Sequence, residues 1–318
     1  MALFSCAFEG DKEVDLYPKL AKKMEENNFY SMQIYEHLPF KPAWPIVFHT
    51  AKYTKSMLIG PVTVPVFLHE PLTLARNLAL LDELTHGRAI LGISRGAYGK
   101  YLDRKIDRSI EAVLDSVRAI NSLLRGDSHV ESRSSVRRPR FAWLAGRKVR
   151  IFVGTSGPIL ASRATTLGAV SGIIVDSLWN PSYARFLRRV IDTASATRAK
   201  GRVELIARPF TFISKDISDA EKKIIPILRA YLPDLAGNSP MLRRAGLQYE
   251  DLAGLARTSS NVPIEKFAAV GNSNDIVEQT DKMLKAGVDH VCYGHPLSES
   301  PMNAISEIGE KVIIHFKT

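Results

Sequence analysis

Eight short apolar runs with the composition of β-strands alternate with amphipathic, helix-like segments along the chain. The predicted strands are residues 3–8, 32–35, 57–60, 89–93, 150–153, 172–175, 205–213 and 290–293. The predicted helices are residues 14–27, 42–52, 70–84, 108–124, 159–167, 181–200, 218–231 and 273–286, with a last helix near 302–313. Strands that alternate with helices are typical of a parallel sheet, and eight such units favour a closed barrel over a doubly wound sheet. The sequence therefore predicts one α/β domain over residues 1–318, a (β/α)8 TIM barrel with insertions.

Two connections between these elements are much longer than usual. Residues 126–148 and 232–270 each follow a predicted helix, whereas most links in compact domains are a few residues long. Both insertions therefore begin at the bottom of the barrel, but either could climb its side and cover the top. Loops of this length are usually functional or disordered.

Composition limits the class of protein. The chain has 318 residues, of which 45% are hydrophobic, enough for a sizeable core. No apolar run approaches the roughly 20 residues needed to span a bilayer, and the N-terminus lacks a signal-peptide pattern. We therefore expect a cytoplasmic protein with no membrane partner. Cys6 and Cys292 provide neither a disulfide framework nor a metal cluster, and we expect both to be buried and reduced.

The formal net charge of +10 fits an anionic partner, which could be nucleic acid, a membrane surface or a small molecule. The densest basic stretch, residues 125–150, holds eight Arg or Lys residues. The chain has no zinc-finger spacing, ribonucleoprotein aromatic pattern or basic zipper, so we expect no nucleic-acid partner. A solvated loop is the simplest interpretation of the basic stretch, and an anionic small-molecule ligand is the next.

The segment after the fifth predicted strand has the features of an anion-binding loop. The strand ends at Gly154, Thr155, Ser156 and Gly157, where glycines allow close approach of a ligand and two hydroxyls can donate hydrogen bonds. Pro158 then begins a helix, whose N-terminus offers unpaired N–H groups and a positive dipole end to a phosphate. An ordinary strand-to-helix turn is the alternative interpretation.

Chemistry in such a barrel lies at the C-terminal ends of the strands. The second strand ends in Glu36 and His37. His37 could exchange protons near neutral pH, and Glu36 could hold its orientation or accept a hydrogen bond from a ligand. Both are candidate catalytic residues, with helix capping as the alternative, and nothing here has metal-ligand spacing.

The third and fourth strands end in backbone suited to a ligand. Pro61, Val62 and Thr63 lie in a short stretch bracketed by prolines, which is a constrained platform for a planar ring. Arg95, followed by Gly96 in a loop of small residues, could clamp a phosphate or carboxylate.

Three segments resemble the luciferase-like flavin and deazaflavin oxidoreductases, which are TIM barrels with insertions. HEPLTLARNLALLDELTHGRAILGISRG is similar to a His-Pro, helix, Leu-Asp, Gly-Arg, Leu-Gly segment of the family, and IFVGTSGPILASRATTLGAVSGIIVDS to its phosphate-loop segment. The C-terminal segment that begins FAAVGNSNDIVEQ resembles methylenetetrahydromethanopterin reductases within the family. Those enzymes use coenzyme F420, a hydride-carrying 5-deazaflavin with an anionic lactyl phosphate and glutamate tail.

The resemblance implies roles for the candidate residues. Glu36 and His37 correspond to an Asp-His pair, so His37 would face the cofactor ring with Glu36 among the cofactor-binding residues. A non-proline cis bond that supports the cofactor would fall near positions 61–62. Arg95 and Gly96 correspond to the loop after strand four, and residues 154–157 to the phosphate loop. The resemblance also implies a homodimer.

Two departures from the family leave the function open. Ala7 stands where the reductases carry a glutamate in the first strand, with Glu9 two residues on, and Ala97 stands where deazaflavin-dependent sugar phosphate dehydrogenases carry one. The leading hypothesis is an F420-dependent oxidoreductase acting on a small organic substrate, either methylenetetrahydromethanopterin-like or an alcohol or sugar phosphate. An FMN-dependent monooxygenase is the first alternative, and a non-catalytic flavin-binding barrel is the second.

Overall fold

The computed structural model describes residues 2–96, 109–127, 142–196, 198, 201–232, 240–244, 246 and 263–317. The strands are β1 (Leu3–Phe8), β2 (Ser31–Ile34), β3 (Leu58–Pro61), β4 (Val64–Pro65), β5 (Ile90–Ser94), β6 (Arg150–Gly154), β7 (Val170–Asp176), β8 (Glu204–Arg208), β9 (Phe210–Ile213), β10 (Ala268–Gly271) and β11 (His290–Leu297). The helices are α1 (Leu16–Glu26), α2 (Ala43–Ala51), α3 (Pro71–Leu84), α4 (Ser109–Arg125), α5 (Pro158–Thr165), α6 (Pro181–Ser195), α7 (Ile217–Tyr231), α8 (Pro240–Arg244), α9 (Ser273–Lys285) and α10 (Pro301–Glu307). Short 3-10 helices span Ala142–Leu144 and Ile264–Lys266, and a π-helix spans Ile308–Ile313.

The strands form a parallel barrel. They pair in the order β3, β2, β1, β11, β8, β7, β6, β5, β4. A further bridge between Ile59 and Ala89 brings β3 next to β5, so the two ends of the sheet meet. Each predicted strand corresponds to a strand of this sheet, which confirms the predicted (β/α)8 barrel fold.

The seventh predicted strand, 205–213, is wrong as a single element, because the chain divides at Pro209 into β8 and β9. Proline has no N–H to donate, so a regular ladder does not run through it. β8 stays in the barrel, whereas β9 pairs with β11 and with β10, a strand that the sequence pattern does not predict. α8 lies within the predicted long connection 232–270, and β10 begins within it and ends at Gly271. Its residues 233–239, 245 and 247–262, and residues 128–141 of the other connection, lie outside the described part of the chain.

Side chains along each strand alternate between the barrel interior and the layer of helices. The apolar part of the interior consists of Ala7, Val62, Ile90, Phe152, Ile174, Ile206 and Cys292. A polar group lies beside it and consists of Ser5, Ser31, Gln33 and His290, each 0% exposed. The Ser5 hydroxyl is 2.7 Å from both Ser31 Oγ and His290 Nε2. These buried polar atoms therefore find their partners in one another, as burial requires.

The structure also tests two expectations drawn from composition. Cys6 and Cys292 are buried and free, as predicted. Burial raises the pKa of both thiols above the ordinary range. Within the described ranges, none of the helices has the length and apolar character that crossing a membrane requires.

Candidate active site

A cleft opens at the C-terminal ends of the barrel strands, where this fold carries its chemistry. Its empty volume, counted out to the open mouth, is about 840 Å³. The lining residues come from most of the barrel strands and from α7, and they are Tyr35, Glu36, Thr63, Pro65, Ser94, Gly96, Asp176, Ser177, Arg208, Pro209, Phe210, Tyr231, Gly294 and His295. A cleft of this size, mostly apolar with a few polar groups, is typical of a small-molecule site.

A buried glutamate beside the cleft holds His37, and neither of these two residues lines the cleft, which they reach through Tyr231. Glu9 follows β1 directly, and because side chains alternate along a strand it points to the same side as Ala7, into the barrel mouth. Glu9 is 2% exposed. Its Oε1 lies 2.6 Å from His37 Nδ1 and accepts a hydrogen bond of 2.7 Å from the Tyr231 hydroxyl.

Electrostatics keep the Glu9 side chain ionised. Burial alone would raise the pKa of Glu9, but the hydrogen bonds from His37 and Tyr231 and the nearby His295 outweigh burial and lower it. His295 Nε2 lies 3.6 Å from Glu9 Oε2, and burial lowers the pKa of His295 while the Glu9 carboxylate opposes that shift. A carboxylate 2.6 Å from Nδ1 favours the tautomer of His37 that carries its proton on Nδ1.

Glu36 is hydrogen-bonded to the backbone at the start of α2. Its Oε2 accepts a hydrogen bond of 2.9 Å from the backbone N–H of Ala43, the first residue of α2. Its Oε1 lies 3.8 Å from His69 Nε2. The carboxylate bonded to His37 Nδ1 belongs to Glu9. Glu36 lines the cleft, and its hydrogen bond to the start of α2 is of the kind that the helix-capping interpretation predicts.

The end of strand three forms one wall of the cleft. The non-proline cis bond joins Val62 and Thr63, one residue beyond the predicted position. Thr63 lines the cleft and donates a hydrogen bond of 3.0 Å to Ser94 Oγ. Pro61 and the Val62 side chain are buried in the barrel instead, so only Thr63 of the three predicted contacts presents its side chain to the cleft.

Arg208, at the end of β8, is a site residue that the sequence pattern does not reveal. It is 5% exposed, and its Nη1 donates to the Val62 carbonyl at 2.6 Å. Its Nε donates to the Asp176 carboxylate at the end of β7. The sequence signal that points to Arg208 is Pro209, because a proline at that position marks the end of the strand and makes Arg208 its last residue.

None of the residues of the predicted anion-binding loop, 154–157, lines the cleft, but Gly154 lies next to Thr63 and Ser94, which do. Pro158 begins α5 as predicted, and Gly157 N–H donates to Thr155 Oγ1 at 2.9 Å. A Cβ at Gly154 would come 2.8 Å from the Thr63 methyl group, so this glycine serves strand packing. A Cβ at Gly157 would meet only Thr155 Oγ1, at 3.5 Å, so the space in front of this residue is open. Ser156 offers its carbonyl to the Tyr183 hydroxyl.

The loop after strand four is described only at its start. Gly96 lines the cleft with a φ of +79°, a conformation that favours glycine. Arg95 is exposed beside it. Ala97 lies outside the described residues.

Comparison with known proteins identifies the family. A family model described as luciferase-like monooxygenase matches residues 10–290. The chain belongs to this family. It is 25% identical to the 5,10-methylenetetrahydromethanopterin reductase of Archaeoglobus fulgidus, with 96% of each chain covered.

Two solved structures share the architecture of this luciferase-like chain. The coenzyme F420 dependent tetrahydromethanopterin reductase from Methanopyrus kandleri matches with a TM-score of 0.84 at 22% identity, covering 99% of each chain. An F420-dependent secondary alcohol dehydrogenase in complex with an F420-acetone adduct matches with a TM-score of 0.81 at 14% identity, covering 98% of each chain. These comparisons confirm the family resemblance of the sequence motifs, and they also confirm the predicted barrel fold.

Proposed function

We propose that the protein is an F420-dependent oxidoreductase that transfers hydride between the deazaflavin and a small organic substrate. The observation that carries the proposal is the hydrogen-bonded group of Glu9, His37 and Tyr231, which reaches the apolar cleft through the Tyr231 side chain. Such a group manages a proton, and oxidation of an alcohol or reduction of a carbon–nitrogen bond by hydride needs one. The reductase and the alcohol dehydrogenase among its relatives support the same class of reaction.

The residues present fit a deazaflavin. Tyr35 and Phe210 give the cleft flat apolar surfaces, and the hydroxyls of Thr63 and Ser94 can bond ring carbonyls. The open space before Gly157, at the start of α5, suits the phosphate of the cofactor. Once bound, the cofactor would supply the hydride chemistry, and the protein would supply orientation and exclusion of water.

The protein's own residues would handle the proton. His37 would give or take it at Nε2, because Glu9 holds Nδ1. Tyr231 would keep Glu9 from rotating, since its hydroxyl is bonded to the same carboxylate oxygen. Glu36, Thr63, Arg95, Gly96 and the loop at 154–157 are proposed to contact the cofactor. The substrate is proposed to be methylenetetrahydromethanopterin-like, an alcohol or a sugar phosphate.

An FMN-dependent monooxygenase is the second candidate. The description of the family as monooxygenases favours it, and the same cleft and phosphate loop would hold FMN. A flavin-binding barrel without catalysis is the third, but Glu9 weakens it because the site has an acid despite Ala7.

We also propose a cytoplasmic homodimer. Leu80 and Leu84 are 44% and 55% exposed on the outer face of α3, and apolar side chains exposed in this way favour contact with another chain. Sedimentation velocity tests the homodimer, and a monomer at micromolar concentration would contradict it.

Titration of the purified protein with F420 and with FMN, followed by fluorescence, tests the choice of cofactor. We expect saturable F420 binding, then turnover with one of the three substrate classes in an assay of F420 absorbance. Tight FMN binding without F420 affinity would overturn the proposal in favour of the monooxygenase. Binding of F420 with no turnover of any class would favour the non-catalytic barrel.

A further inference from the structure

A buried cation lies beside the strand-three wall of the cleft. Arg208 crosses the barrel mouth from β8, and its Nη1 donates to the Val62 carbonyl at 2.6 Å. Its Cζ lies 5.1 Å from the centre of the Tyr35 ring. The guanidinium thus connects three barrel strands at the point where Thr63 meets the cleft.

The orientation of Arg208 is set from inside the barrel. Gln33 Oε1 accepts from Arg208 Nη1 at 3.4 Å, and Gln33 Nε2 donates to Ser31 Oγ at 3.3 Å. Ser31 is in turn bonded to Ser5, and all three of these polar residues are fully buried. Because the amide of Gln33 is held at its nitrogen, its oxygen is fixed toward the guanidinium.

The counter-ion of Arg208 is placed asymmetrically. The Arg208 side chain is 4% exposed, whereas that of Asp176 is 51% exposed at the lip of the cleft. Water and salt screen an exposed charge more strongly than a buried one. A ligand against Thr63 and Tyr35 therefore experiences a positive field from Arg208 that Asp176 only partly cancels.

We propose that Arg208 is a cofactor-positioning residue that holds an anionic, delocalised ring against the strand-three wall, with Asp176 setting the strength of its field. The inference rests on the proposed function, because the ring it invokes is the deazaflavin. The 8-hydroxyl of the oxidised deazaflavin is an acid whose anion is delocalised over the ring, and its ionisation changes the visible absorbance. The bound ring therefore reports the sign of the field around it.

The test is a pH titration of oxidised F420 bound to the wild type, Arg208→Gln, Arg208→Lys and Asp176→Asn, followed by the absorbance of the ring. Loss of the cation in Arg208→Gln should decrease the ionisation constant of the bound ring about tenfold, one pH unit. Loss of the anion in Asp176→Asn should shift the ionisation constant of the bound ring in the opposite direction and increase it. Arg208→Lys keeps the charge and should stay close to the wild type.

The outcomes separate the inference from the function on which it rests. Failure of the wild type to bind F420 would overturn the proposed function and this inference together. Binding of F420 with an unchanged ionisation constant in both charge variants, or with shifts of the same sign, would overturn this inference alone. If Arg208→Gln does not fold, the titration of Asp176→Asn alone tests the inference. The Asp176 carboxylate is half exposed at the surface, so its replacement does not disturb the core.

Discussion

Two glutamates near His37 differ in their hydrogen-bond partners. Glu9 is bonded to the imidazole and the Tyr231 hydroxyl, whereas Glu36 accepts from the first N–H of α2. Replacing either glutamate with glutamine removes its negative charge and leaves the shape of the side chain almost unchanged. Paired substitutions therefore compare the two positions directly.

We expect Glu9→Gln to lower kcat about 100-fold, because a neutral amide removes the negative charge beside His37 Nδ1, and general acid–base groups contribute on this scale. Glu36→Gln should lower kcat by less than about tenfold, since the amide oxygen still accepts from Ala43. Steady-state kinetics with the substrate found in the turnover assay measures both, and F420 titration checks that affinity is kept. Equal losses in the two variants would show that Glu9 has no special role.

Two glycines in the 154–157 loop are also distinguishable by substitution. Gly157 has an extended backbone, with φ −88°, and open space at its Cβ, so Gly157→Leu should leave stability within about 0.5 kcal/mol. The new side chain fills the proposed phosphate position, so F420 affinity should fall about tenfold or more. Gly154→Ala is the contrast, because its Cβ would meet Thr63, and overpacking there should cost about 1–3 kcal/mol. Unchanged F420 affinity in Gly157→Leu, measured by fluorescence, would exclude this loop as the phosphate site.

Among the structural elements, α1 is tied to the approach to β3 by one carboxylate. Glu25 accepts hydrogen bonds from the backbone N–H groups of Lys55, Ser56 and Met57 at 2.6–3.0 Å. Partial burial would raise the pKa of Glu25, but these backbone bonds outweigh it and lower the pKa to about 2. Because the folded-state pKa lies below the ordinary value of 4.5, the stabilisation is complete above that value and is lost as the pH falls toward 2.

Glu25→Gln should therefore reduce the free energy of unfolding near neutral pH by about 1–2 kcal/mol, after allowance for solvent screening. The difference from the wild type should shrink at about pH 3, where the wild-type carboxylate is losing its advantage. Urea unfolding at the two pH values measures this, and Glu26→Gln, at the exposed neighbouring position, is the matched control. A deficit that stays constant with pH would mean that the charge of Glu25 contributes nothing.

The elements show where sequence reasoning succeeds. Alternation of apolar runs with helical patterns identified the barrel strands, because each is a continuous buried segment between turns. It missed the break at Pro209, since apolar residues continue on both sides, and it missed β10, a four-residue run of small residues. It also missed β4, a strand of two residues. The errors at β9 and β10 concern strands whose pairing depends on contacts between distant segments.

The whole molecule assembles the site from parts that the sequence leaves far apart. Glu9 and Tyr231 are 222 residues apart in the chain, and Arg208 and Val62 are 146 apart. Reading strand ends one by one found His37 and Thr63, because each lies just past a predicted strand. It could not find Tyr231, which ends a helix and reaches the cleft only through the tertiary packing of α7. Local patterns therefore predict which strand ends carry chemistry, and only the fold predicts their partners.

The net charge of the molecule gives a prediction at the same scale. With a formal charge of +10, the protein should attract the phosphate and glutamate tail of F420, and salt should weaken that attraction. Raising KCl from about 0.05 M to about 0.5 M shortens the screening length about threefold, so the Kd for F420 should rise about tenfold. The ring and ribityl fragment of F420 lacks the phosphate and the glutamates, so its Kd should change by less than about twofold over the same range of KCl.

A pair of variants distinguishes the overall charge from a local anion site. Arg95→Gln and Lys22→Gln each remove one positive charge, but Arg95 lies beside the cleft loop and Lys22 is exposed on α1. If Arg95 contacts the anionic part of the cofactor, its loss should flatten the salt dependence of F420 binding, and the loss of Lys22 should leave it as in the wild type. Equal changes in both variants would assign the effect to net charge. A steep salt dependence for the fragment as well would mean that the ring, rather than the tail, is the group the positive charges attract, because the fragment carries no other anion.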